Sequence, residues 1–85
     1  MISMLYAKFM YPNNGYDGDI EYAKNAKLKL KERYEIDYIN MGGFYTSIYL
    51  KDIEGCFNSV QFVFEDEYGL PVDIYEISDF SSYNI

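Results

Sequence analysis

Eighty-five residues, 49% of them hydrophobic and 20% aromatic, are too apolar for a disordered chain and make one domain. Fourteen acids stand against seven bases, with no histidine and one cysteine, which leaves a net charge of −7. That inventory excludes an intramolecular disulfide, the usual zinc ligand sets and the Ser-His-Asp and Cys-His nucleophilic arrangements, and so short a chain has little room for a deep catalytic cleft.

Residues 3–11 predict a strand, because Leu5, Ala7, Phe9 and Tyr11 alternate with Tyr6, Lys8 and Met10. Pro12-Asn13-Asn14-Gly15 ends it with turn chemistry. Asp17 and Asp19 are N-cap candidates for a short helix over about residues 20–27. Ile20, Ala23, Ala26 and Leu30 fall at helical spacing, and Glu21 suits the positive end of the dipole. Lys27-Leu28-Lys29-Leu30-Lys31 also alternates as a strand does, so residues 24–33 read either way. Lys31-Glu32-Arg33 is a turn.

Residues 34–41 carry the clearest alternation. Tyr34, Ile36, Tyr38 (or Ile39 after a bulge) and Met41 point inward, and Glu35 and Asp37 outward. Gly42-Gly43 suits a tight hairpin, and residues 44–50 form the return strand, rich in aromatic and β-branched types. Residues 51–56 are a polar turn. In residues 57–64, Asn58 and Ser59 favour a bend, after which Val60, Phe62 and Phe64 alternate. Residues 65–71 are a second hairpin connection and residues 72–77 the last strand. Residues 78–85 are a polar, aromatic tail whose Phe80 or Tyr83 is placed to dock back. The fold class is therefore mainly β (α+β), one domain over residues 1–85. It is a five-stranded, strongly curved antiparallel sheet or partly open barrel with one short helix after the first strand.

Tyr34, Glu35 and Ile36, then Gly42 and Gly43, Thr46 and Leu50, and Phe57, Asn58, Ser59 and Val60 set a cadence that resembles small bacterial and phage proteins with an SH3-like barrel. The resemblance implies a fold and no activity, since such barrels host many functions.

Several motifs fail on inspection. Asp17-Gly18-Asp19 opens like a calcium loop, but the positions that need glycine and glutamate hold Tyr22 and Leu28. The six glycines make no phosphate-binding fingerprint. Cys56, between Gly55 and Phe57, reads as a small hydrophobe. No carboxylate pair has a cleft to work in, so no catalytic residue, cofactor or metal is expected. No run of about 18 apolar residues crosses a membrane, and residues 1–11 lack a signal-peptide pattern, so the cytoplasm is the expected location.

Charge and aromatics carry the remaining signal. Six bases and four acids lie in residues 1–33, and one base and ten acids in residues 34–85. Eleven tyrosines and six phenylalanines exceed what so small a core takes, and surface tyrosine is an interface residue. Residues two apart on a strand face stand about 6.6 Å apart, close to the spacing of successive phosphates, and Glu35 and Asp37 have that spacing. The expected contact acids are Glu35, Asp37, Glu65, Asp66, Glu67 and Asp73, and the contact aromatics Tyr45, Tyr49 and Tyr68. Such a face suits a Lys/Arg groove built for a phosphate backbone, with tyrosines stacking on arginine planes. In composition the chain is similar to small acidic anti-CRISPR inhibitors and nucleic-acid mimics. The expected partner is a basic, nucleic-acid-binding protein. Direct binding of nucleic acid is disfavoured by the net charge of −7. The alternative is an assembly domain that forms a homodimer through a strand edge.

Overall fold

Alternating apolar residues build β1 (Leu5–Phe9), with Leu5, Ala7 and Phe9 buried and Tyr6 and Lys8 on the opposite face. The computed structural model describes residues 4–41 and 46–74. After β1 come α1 (Asp17–Asn25), β2 (Arg33–Asn40), β3 (Ser47–Leu50), β4 (Phe57–Asn58), a 3-10 turn at Ser59–Gln61 and β5 (Phe62–Asp66). The strands pair antiparallel in the order β4-β3-β2-β1-β5. β1 is thus shared between the second strand and the last. The sheet curls around its apolar side into a half-barrel, which lets one face bury on itself. Inside lie Ile36, Ile39, Ile48, Leu50 and a phenylalanine group in which Phe62 packs 5.5 Å from Phe9 and 6.4 Å from Phe57. Each such side chain contributes about 1.5–3 kcal/mol on burial.

The helix begins earlier than its apolar spacing predicts. Tyr16 is the N-cap, and Asp17 and Asp19 lie inside the first turn. The Asp19 carboxylate accepts the Tyr16 N–H at 2.9 Å, which satisfies a donor at the positive end of the helix. Ala23 is the helix residue driven into the core. The lysine-leucine run is neither helix nor strand. Lys27 and Lys31 both take left-handed φ, 61° and 69°, and turn the chain back to the sheet. The Lys31 N–H then donates to the Phe9 carbonyl at 2.7 Å. The short span from helix to β2 overrides the local alternation there.

In β2 the bulge alternative is realised. Ile36 pairs with Leu50 and Tyr38 with Tyr49, so Asp37 is the extra residue. This keeps both Ile36 and Ile39 buried and leaves Tyr38 and Met41 exposed, against the inward positions that simple alternation assigns to them. Residues 57–64 do not make one strand after a bend. The Asn58 side chain accepts the Val60 N–H at 3.2 Å and starts the 3-10 turn. Val60 is exposed on that turn, and β4 and β5 diverge to opposite edges of the sheet. The expected strand over residues 72–77 is also corrected within the described residues. Pro71 makes a single bridge to Glu65, the Val72 N–H donates to Phe64 at 2.9 Å, and residues 72–74 form no strand. The Gly42-Gly43 turn, residues 75–77 and the tail lie outside the described residues.

Candidate functional site

The register decides which acids face outward together. Tyr6 on β1 pairs with Glu35 of β2 on one side and Glu65 of β5 on the other. Arg33 starts β2 opposite Lys8. Its guanidinium crosses β1 above the Tyr6 ring, 4.1 Å from the centroid, and meets Glu65 at 2.6 Å. It also donates to the Asp66 carbonyl at 3.0 Å. One side chain therefore ties three strands together. Glu65, only 8% exposed, faces Arg33 and is withdrawn from the exposed acid set expected from the sequence.

Glu35 is half-buried, with the Lys51 ammonium 3.7 Å away. Asp37 is exposed at the bulge. Beside it the Tyr38 ring packs on Tyr49 with centroids 5.6 Å apart, a tilted aromatic pair. Glu35, Asp37 and Tyr49 thus share the outer face of the sheet, and Tyr38 joins them. Sequence reasoning missed Tyr38 as a contact aromatic. The signal that could find it is the pair of isoleucines three apart, which both reach the core only if a bulge separates them.

A second group lies at the turn after β5. Asp66 Oδ1 accepts the N–H groups of Tyr68 at 2.8 Å and Leu70 at 2.9 Å, and the Gly69 N–H donates to the Asp66 carbonyl. Gly69 supplies a φ of 85°. Asp66 is therefore the builder of the turn. What the turn presents is Tyr68, 82% exposed, Leu70, 61% exposed, and the exposed Glu67. Asp73 is exposed a few residues on. Tyr45 lies outside the described residues.

Three further acids stand in or beside α1. Asp19 Oδ2 accepts both the Tyr16 N–H and the Asn58 amide at 3.0 Å, which pins α1 to β4. Asp52 and Glu54 line an open cleft of about 450 Å³ beside Tyr22 and Asn25. Among the described residues no three of His, Cys, Asp and Glu gather to hold a metal ion, and no helix is long and apolar enough to cross a membrane.

A family model described as bacteriophage T4 protein Y07B matches residues 4–85. The chain belongs to that family. It is thus a small protein of a phage family. No curated protein and no solved structure matches it.

Proposed function

We propose that this phage-family protein is a non-enzymatic protein-binding module acting in the host cytoplasm. It inhibits a basic, nucleic-acid-binding enzyme of the defence type by covering the groove that takes the phosphate backbone. The observation that supports this reading is the bulge in β2. It sets the exposed Asp37 beside the Tyr38–Tyr49 pair and two residues from Glu35, so acids and aromatic faces share one outward surface. Carboxylates there take the place of phosphates toward Lys and Arg, and the rings accept guanidinium planes. The chain already makes such a contact within itself, Arg33 on Tyr6. The half-barrel also supports the SH3-like reading, with its first strand shared between second and fifth and a 3-10 turn joining the last two. The edge-to-edge alternative has less behind it. β4 offers two residues and β5 is partly occupied by the Pro71 bridge, so both edges are blunt.

The test is a tagged-protein capture from host lysate at low salt, eluted with a salt gradient. The expected result is a basic nucleic-acid enzyme that leaves at moderate salt and is displaced by competing DNA or RNA. Asp37→Lys and Tyr38→Ala then each weaken capture about tenfold or more. A partner insensitive to salt and to both substitutions, or none at any salt, overturns the reading.

A further inference from the structure

The two ends of β1 carry opposite chemistry. At the Phe9 end, Phe9, Pro12, Ile20, Ala23, Leu28 and Leu30 line an apolar groove of about 180 Å³ between α1 and the sheet. Leu30 is 57% exposed there, a large aliphatic side chain with little covering it. Lys24 also lines the groove, and Lys27, Lys29 and Lys31 alternate with the two leucines on the exposed loop. Residues 24–31 hold four lysines and no acid. Among the described residues none of these lysines forms an ion pair; the ion-paired bases are Arg33 and Lys51. The groove is therefore an apolar floor with Lys24 at its edge and three more lysines on the adjoining loop, on a chain whose net charge is −7.

At the Leu5 end stands the β5 turn, with Glu67, Tyr68 and Leu70 exposed. Leu5 pairs with Asp66, while the Phe9 carbonyl receives Lys31. The strand between them spans about 13 Å at roughly 3.3 Å per residue. Tip and groove are complementary in charge and in apolar content, and in one molecule they lie at opposite ends of β1.

We propose that the Glu67–Leu70 tip of one copy seats in the lysine-flanked groove of a second copy, so that the protein associates head to tail. Tyr68 and Leu70 cover the apolar floor and the Glu67 carboxylate faces the lysines. The contact is heterologous, so it extends into a chain or closes into a ring. A four-residue tip falls well below the ~1,000 Å² of a permanent interface, so association is weak and depends on concentration. At about 0.15 M salt the Debye length of ~8 Å screens the net repulsion between copies and leaves ion pairs in contact. The inference does not rest on the inhibitor reading, and it is tested on the purified chain alone.

Sedimentation equilibrium from about 10 μM to about 1 mM, the range of a weak contact, measures it. The expected result is a weight-average mass that rises past the dimer. Tyr68→Ser/Leu70→Ser removes the tip, and Lys24→Glu/Lys29→Glu reverses the charge beside the groove; each stays monomeric, with circular dichroism unchanged. An equal mixture of the two variants recovers association and stops at a dimer, because each copy then keeps one working surface. A wild-type chain that stays monomeric, self-association that survives both variants, or a mixture that forms no dimer overturns the proposal. A groove that instead takes a foreign acidic peptide while the wild type stays monomeric overturns it as well.

Discussion

Replacing Arg33 with methionine removes the side chain that bridges β2, β1 and β5 while keeping most of its aliphatic bulk. Three contacts go at once. The bond to the Asp66 carbonyl is charge-assisted and contributes about 1.5 kcal/mol. The stack on Tyr6 contributes about 0.5–1 kcal/mol at a partly exposed site. Glu65 is left with 11% of its side chain exposed and no counter-charge, which costs about 1–2 kcal/mol once the 38% exposure of the Arg33 side chain is allowed for. The expected loss is about 3–4.5 kcal/mol, a large share of the ~5–15 kcal/mol that holds a small domain. Each kcal/mol lowers Tm by roughly 4–8 °C in a chain of this size. Urea unfolding followed by circular dichroism measures it. Arg33→Lys recovers less than half, because an ammonium cannot fork to Glu65 and Asp66 while lying flat on a ring. A double-mutant cycle with Glu65→Gln gives a coupling of about 1–2 kcal/mol. A loss below about 1 kcal/mol, or additivity within about 0.5 kcal/mol, refutes the bridge. On the same reasoning Glu65→Gln lowers stability and leaves partner binding unchanged.

Two glycines respond with opposite sign. Gly55 has a φ of 93°, and an added Cβ would also push the half-exposed Tyr22 ring aside, so Gly55→Ala costs about 1–2 kcal/mol in urea unfolding. Gly18 lies within α1 with nothing within 4 Å of an added Cβ, so Gly18→Ala raises stability by about 0.5–1 kcal/mol by the same assay. Asn58→Ala removes the tie to Asp19 and the cap on Val60 at a site 3% exposed, and lowers the urea midpoint by the equivalent of about 1–3 kcal/mol. Asp66→Ala frees the amides of Tyr68 and Leu70; hydrogen exchange at both rises well before global stability falls by about 1–2 kcal/mol.

Much of the candidate site was legible as residue types and little of it as geometry. Asp37 is outward because Ile36 must be inward, and that follows from alternation alone. Tyr38 is outward only because Ile39 displaces it through a bulge, a choice between two sequence-compatible registers made by the packing of the core. Glu65 and Glu67 look equivalent in the chain, two acids two residues apart. One is buried under Arg33 and the other exposed on the turn, because the closing of β5 onto β1 brings an arginine from 32 positions earlier in the chain. No local pattern contains that partner.

Local chemistry suffices for β1, for most of β2, for the turn after Asp66 and for the bend at Asn58. In each, the deciding contacts are alternation or side chains bonding to amides a few residues away. Lys27-Leu28-Lys29-Leu30-Lys31 and residues 57–64 escaped such reading. Both carry a strand-like pattern, yet both must turn to join elements whose positions are set by the half-barrel. Periodicity reports which face of an element meets the core. Where the chain must break that period to close the sheet on itself depends on contacts between residues distant in sequence, and those form only in the folded molecule.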